Sequence, residues 1–307
     1  AEDLFYSSNL TKATIEQLSA VDQNNFAITK FETAFSMDRN SITASNVKAG
    51  TSNSSLEGNF NLQYQSLQSL ATSLALLQLN INLKKASFKN ADLLYFSPQL
   101  KEMEFFNNKT NTTFISGQIN GRVNHLKGKN MIVRTGNKTI LRTDFSIIGL
   151  PEFKTAYFDF PNLKLVSGRQ DIEMIAGKSV PASVQVPEDI LLLINFKGKM
   201  NAFETTINAG STFGGAKVLA TVDANENFRA DLDILDFDMG RLLKNNKMYG
   251  PVSLTALVSG QGLNTKTMKA KISADVSQIY LNQYLYHNLT VNGTANGQAY
   301  AGKINLK

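Results

Sequence analysis

The 307-residue chain contains no cysteine and no tryptophan, only two histidines and only six prolines. Without cysteine there are no disulfides, no thiolate nucleophile and no Cys-ligated zinc, and an oxidising compartment carries no risk of stray thiols. The two histidines, His125 and His287, are far apart and stand in no metal-ligand spacing such as H-E-x-x-H, which leaves surface or satisfied polar roles for both. Charge is sparse at 18% of residues, and the net +6 comes from 31 basic and 25 acidic residues scattered along the chain. The densest basic spots, Lys84–Lys85 and Lys127–Gly–Lys129, are too short to form the clustered, aromatic-interleaved patch of a nucleic-acid binder. No apolar run reaches the roughly 20 residues of a spanning helix; the nearest, Leu74 to Leu83, is broken by Gln78, Asn80 and Asn82. Nor does a basic start followed by an apolar stretch read as a signal peptide.

What is present is alternation with period two, the pattern of half-buried strands. Phe31, Thr33, Phe35 and Met37 share one parity, as do Leu56, Phe60, Leu62 and Tyr64, and then Leu77, Leu79, Ile81 and Leu83. Phe228, Ala230, Leu232 and Ile234 stand against Arg229, Asp231 and Asp233. Met268, Ala270, Ile272, Ala274 and Val276 stand against Lys269, Lys271, Ser273 and Asp275. Antiparallel sheet with one apolar and one wet face is the expected architecture. Arg134 to Lys138 and Asp223 to Asn227 read as hairpin turns, and Gly260–Gln–Gly262 as a further break. The glycine-rich Gly210–Ser–Thr–Phe–Gly214–Gly215 lacks the Lys–Ser/Thr of a P-loop and reads as a tight hairpin.

Helices are expected to be short and few: near 9–20, where Asn9 would cap a segment carrying Leu10, Ile15 and Leu18; over 66–77, from a leucine stripe read as core-facing; over 98–106, opened by Ser97–Pro98; and over 237–244, capped by Asp236 or Asp238. Asp231, Asp233, Asp236 and Asp238 could suggest calcium, but apolar residues interleave and the EF-hand glycine is missing, so strand and cap roles fit better. The Asn-x-Ser/Thr sequons at Asn108 and Asn288 carry little information. No G-x-S-x-G elbow, P-loop or dinucleotide fingerprint occurs. The chain is therefore expected to be non-enzymatic, with no cofactor and no metal.

Short helix, connector, long strand occurs twice: Asp92 to Leu100 before the strand 115–123, and Phe237 to Leu243 before the strand 252–258. This weak internal repetition, with no Pro/Ser-rich linker, predicts one continuous, repeat-like β-rich segment over 1–307. Its apolar faces must be covered by a second sheet or by curvature of the sheet over itself. A trough lined by Ile, Val, Leu and Phe would suit an acyl chain: each CH₂ buried contributes roughly 0.8 kcal/mol, so about sixteen carbons need on the order of 10 kcal/mol of compensation on leaving a bilayer. The groove candidates are Ile119, Val123, Phe145, Ile147, Leu232, Ile234, Val252, Leu254, Ile272 and Val276.

Four stretches carry a family likeness: Asp92-Leu-Leu-Tyr-Phe-Ser-Pro-Gln-Leu100, Gly121-Arg-Val-Asn-His-Leu-Lys-Gly-Lys-Asn130, Gly149-Leu-Pro151 and Phe237-Asp-Met-Gly-Arg-Leu-Leu243. Together, from about residue 25 to the C-terminus, they resemble the TamB proteins of the AsmA-like group, in their large Bacteroidota form. The resemblance implies a mainly β, strongly curved antiparallel sheet forming an open, taco-like trough with a few short helices. It also implies a periplasmic, envelope location, anchored in the inner membrane through flanking regions of a longer protein of which this chain is an internal segment. The implied occupants are phospholipid acyl chains moving toward the outer membrane, and the implied partner is an outer-membrane barrel. Two other readings stay open: a scaffold that assembles barrel proteins by strand addition, and a closed β-sandwich adhesin or glycan binder, which the lack of tryptophan disfavours.

Overall fold

The computed structural model describes residues 3–264 and 266–306. It is mainly β, 62% strand and 13% helix, an antiparallel sheet that does not close. The chain divides into two compact units, 1–157 and 158–307.

The first unit comprises β1 (Asp3–Tyr6), β2 (Leu10–Ile15), β3 (Ala20–Val21), β4 (Ala27–Asp38), β5 (Ser41–Thr51), β6 (Ser55–Gln63), the single-turn α1 (Ser69–Thr72), β7 (Gln78–Lys89), α2 (Asn90–Phe96), α3 (Glu104–Asn107), β8 (Thr112–Arg122), β9 (His125–Thr135) and β10 (Thr139–Ile148). From β4 to β10 each strand pairs antiparallel with the next, and every one of these pairings carries a register shift. Each such bulge bends its strand and adds twist, so this sheet curves along its whole length.

The second unit begins in β11 (Tyr157–Gly168) and continues through α4 (Arg169–Ala176), β12 (Asp189–Lys199), β13 (Ala202–Ser211), β14 (Gly214–Val222), β15 (Asn227–Asp238), α5 (Met239–Leu242), β16 (Tyr249–Gln261), β17 (Lys269–Leu281), β18 (Tyr284–Asn296) and β19 (Ala299–Leu306). These strands too pair in chain order, with shifts at β11–β12, β15–β16 and β16–β17.

Polar side chains fix the turns. Asp223 accepts the backbone N–H groups of Asn225 and Asn227 at 2.8 and 2.9 Å in the β14–β15 turn. The Asn227 side chain, ahead of those amides, holds its carboxyl below the ordinary aspartate range. Asp38 does the same between β4 and β5, through the amides of Asn40 and Ser41.

The helices differ from the expectation in instructive ways. No helix forms near 9–20. Leu10, Ile15 and Leu18 are too sparse for a buried helical stripe, whereas Thr11, Thr14 and Ile15 suit a strand; β2 pairs with β4, Ala13 opposite Phe35. The leucine stripe over 66–77 shrinks to α1 and a 3₁₀ turn at Leu74–Leu76, and it does not face a core: Leu67 and Leu74 are exposed. Pro98 opens a 3₁₀ turn, Pro98–Glu102, ahead of α3. Asp238, not Asp236, caps α5, its carboxylate accepting the Arg241 N–H at 2.9 Å. The structure adds α4, and in the Asp92–Leu100 stretch it places the helix at the start, as α2. Apart from the single-turn α1 after β6, short helices thus follow β7, β11 and β15, at intervals of four strands.

Candidate functional site

In an antiparallel pair, residues directly opposite each other share a face, so the register sorts every strand residue. In the first unit one face carries Phe60, Ile81, Ile119, Gly128 and Phe145 in a single cross-strand row, with Leu62, Leu79, Gly121, Leu126 and Ile147 in the next. The opposite face carries Asn61, Asn80, Asn120 and Lys127. Gly128 has a packing reason: a Cβ there would stand 2.2 Å from Cε1 of Phe145, whose ring lies over the bare backbone.

The second unit repeats this segregation over nine strands. One row runs Leu163, Ile194, Ile207, Val218, Leu232, Ala256, Ala274, Val291, Ile304. The row beside it includes Leu165, Leu192, Ile234, Leu254, Val276 and Leu289. Among the described residues no charged side chain shares this face. The charges stand on the reverse: Asp159 opposite Lys197, Lys197 opposite Glu204, Lys217 opposite Asp233. Arg229 makes a bidentate pair with Asp231 there at 3.1 and 3.0 Å.

This apolar face is not a dry core. Most of its side chains are half-buried, and Ile272 is 39% exposed. The largest fully buried side chains among the described residues are Phe213, Asn90 and Ser167, two of them polar. The accessible surface is 18727 Å², whereas two closed, compact bodies of half this mass would together expose about 15,000 Å². The excess is what sheets with one uncovered apolar face require.

An apolar concavity on that face has a volume of about 510 Å³ and spans β16 to β19. Gly293 and Gly302 form its floor, with Ala295, Tyr300, Val291 and Ile304 around them. That volume falls in the range of small-ligand sites.

One edge of the second unit is plugged. Phe213, in the β13–β14 turn, is 2% exposed, and the Arg241 guanidinium of α5 lies 4.4 Å from its ring centroid while donating to the Thr212 carbonyl at 2.9 Å. Lys244 donates to the Ala182 carbonyl, joining the segments after α4 and α5. In the first unit Asp92 of α2 accepts the Thr51 hydroxyl at 2.5 Å and the Asn53 amide at 3.2 Å, clamping the β5–β6 turn. Short helices therefore brace hairpin turns at the strand ends.

Nine of the ten expected groove residues lie on these apolar faces: Ile119, Phe145 and Ile147 in the first unit, and Leu232, Ile234, Val252, Leu254, Ile272 and Val276 in the second. Val252 and Val276 are buried at 4% and 5%, so they are floor, not lining. Val123 falls outside the set: β8 ends at Arg122, and Val123 sits in the turn, where its N–H bonds the Leu77 carbonyl. Parity reasoning overran the strand by one residue there. It also passed over the small residues Gly293 and Gly302, which shape the concavity by lacking side chains. His125 and His287 are exposed, and no metal-binding cluster occurs among the described residues. Asp231 and Asp233 lie on the polar face; Asp236 sits in a bulge, accepting from Ser253 and Gln278.

Comparison of the chain with protein-family models, with curated proteins and with solved structures finds no match.

Proposed function

We propose that this chain handles lipid without transforming it: the apolar face of each unit shields phospholipid acyl chains in transit between the two membranes of a bacterial envelope. The observation that carries this reading is the uncharged face of the second unit, continuous over nine strands yet left half-exposed. A face of that size in contact with water alone is costly, at roughly 25 cal/mol for each Å² of apolar surface. Hydrocarbon relieves that cost without asking for hydrogen bonds, and headgroups stay outside in solvent. The likeness to TamB proteins supports the envelope location and the absence of catalysis, and it supplies the barrel partner as part of the same proposal.

Native mass spectrometry of protein purified from cells tests it. Phospholipid adducts are expected, and delipidated protein should take up a fluorescent fatty acid. Protein that carries no lipid and takes up no acyl probe would end the lipid-handling reading.

A further inference from the structure

The polar face of the first unit is a grid of carboxamides with a basic margin. Asn59, Asn61 and Gln63 of β6 stand opposite Asn82, Asn80 and Gln78 of β7. These in turn stand opposite Gln118, Asn120 and Arg122 of β8, whose own partners on β9 are Lys129, Lys127 and His125. No register shift falls inside the grid, which measures about 14 Å on a side from strand spacing and rise. Eight of its twelve side chains are carboxamides and none is a carboxylate. Carboxylates at its margins are already engaged or matched. Asp38 accepts the amides of Asn40 and Ser41, Asp144 accepts the Asn130 N–H at 2.6 Å, and Glu57 stands opposite Lys48 and Lys85.

Asparagine is a poor strand former, so five of them in mid-strand call for a reason. A ladder of carboxamides bonded to one another is not that reason. Asn59 accepts the Asn46 N–H and Asn61 donates to the Thr43 hydroxyl, each at 2.8 Å. The other six carboxamides make no side-chain hydrogen bond among the described residues, and Arg122, Lys127 and Lys129 make no ion pair there. All three cations are exposed. A concavity of about 380 Å³ opens at one end of the grid, lined by Gln63, Gln78, Asn80 and Arg122 and walled by Leu76 of the β6–β7 connection. The β8–β9 turn holds that wall in place: the Val123 N–H donates to the Leu77 carbonyl and the Asn124 N–H to the Ala75 carbonyl, both at 2.9 Å. Leu76 is 40% exposed, so part of the leucine stripe has an apolar surface turned to solvent beside the amides.

We infer that this grid binds an anionic polysaccharide. Each carboxamide offers two N–H donors and an acceptor oxygen, and sugar hydroxyls both donate and accept. The Arg122 fork pairs with a carboxylate through two bonds, Lys127 and Lys129 add charge, and Leu76 gives the C–H face of a sugar ring a place to rest. A single-stranded nucleic acid would need exposed rings for its bases, and a protein partner an aromatic anchor. The grid offers neither, and Tyr64 in the concavity is buried, its hydroxyl donating to the Asp38 carbonyl at 3.1 Å. The lack of tryptophan removes ring stacking but leaves hydrogen bonding and charge, so binding should weaken as salt screens the cations. The grid lies on the face opposite the apolar one, so the inference is independent of the lipid-handling reading.

The test is affinity electrophoresis of the full chain through gels containing polygalacturonate, with neutral dextran, polyglutamate and oligothymidylate as comparisons. Polygalacturonate should retard the wild type most, because it alone joins carboxylates to ring hydroxyls without asking for base stacking. Asn80→Ala combined with Asn120→Ala removes two free carboxamides and leaves every charge in place. It should weaken polygalacturonate binding at least about fivefold and leave the weaker polyglutamate binding as it was. Arg122→Gln, which keeps a polar side chain at the concavity, should weaken binding of both polyanions, and it serves should the double variant melt early. Polygalacturonate retardation no stronger than that by polyglutamate or oligothymidylate overturns the inference, as does unchanged affinity in the folded variants. Acyl-probe uptake by the wild type is measured separately, and its presence or absence bears on the lipid-handling reading alone.

Discussion

Placing a carboxylate at two positions of β17 separates an open apolar face from a closed core. Ile272 and Val276 lie on the same strand and the same face, but Ile272 is 39% exposed and Val276 only 5%. In Ile272→Asp about three-fifths of an isoleucine's burial is lost, about 1–2 kcal/mol of the roughly 1.5–3 that full burial contributes. The poor fit of Asp to a strand adds up to about 1 kcal/mol. The charge keeps its water, so the several kcal/mol of burying an unpaired ion are not incurred. The sum is about 1–3 kcal/mol, which for a cooperative unit of about 150 residues lowers Tm by roughly 3–10 °C. In Val276→Asp the carboxylate has no such access, and a loss above about 4 kcal/mol is expected. Urea and thermal unfolding of both variants decide the matter, with acyl-probe uptake measured on the folded Ile272→Asp, where it should be abolished. Equal and large destabilisation at the two sites would refute an open face, because it would mean that Ile272 too sits in a water-free core.

Three further outcomes follow from the geometry. Asp238→Ala removes the cap of α5 and should cost about 1 kcal/mol, read as a shift of the urea midpoint at unchanged slope; no shift would mean that α5 is held by Arg241 and Phe213 alone. Gly128→Ala, with ordinary backbone but a ring in the way, should force Phe145 out of place and destabilise by about 1–3 kcal/mol; a neutral melting curve would show the ring swings aside freely. The third concerns acid. The Tyr95 hydroxyl, and after it the amides of Phe26 and Asn24, hold the Asp22 carboxyl below the ordinary aspartate range. A carboxyl depressed on folding contributes stability that is present above the unfolded value and lost as pH falls through the folded one. The tie between the β3–β4 turn and α2 should therefore loosen only in acid below the ordinary aspartate range, and Tyr95→Phe should raise the Asp22 midpoint in an NMR titration. An unmoved midpoint would place the cause in the amides instead.

Much of this was legible in the sequence. Strands such as 228–234 and 269–276 announce themselves because charge alternates against apolar side chains, and parity alone puts Leu232, Leu254 and Ile272 on one face. Short helices are harder to see. Asn90–Phe96 and Arg169–Ala176 are too brief for a periodic signal to build, and each is held by tertiary ties, such as Asp92 to Thr51 and Arg169 to the Val186 carbonyl at 2.7 Å. The concavity over Gly293 and Gly302 was out of reach for a different reason. Which residue stands opposite which depends on turn lengths and on the bulges at Ile234/Phe237 and Ser253/Leu254, and nothing local marks Gly293 and Gly302 as residues that stand opposite each other.

Pairing in strict chain order has a consequence for how each unit assembles and how it could change length. Among the described residues of the second unit each strand pairs with its immediate predecessor and successor in the chain. Contact order is therefore low for a β protein, and closure of each hairpin adds little loop entropy. Such a ribbon behaves as a one-dimensional array in which neighbour terms add and opening starts from the margins. Deleting one strand would reverse the direction of every strand after it and send the following helix to the opposite margin. Deleting a hairpin, or four strands with their helix, leaves direction and facing intact. Growth by such whole modules lengthens the apolar track without redesigning any part of it.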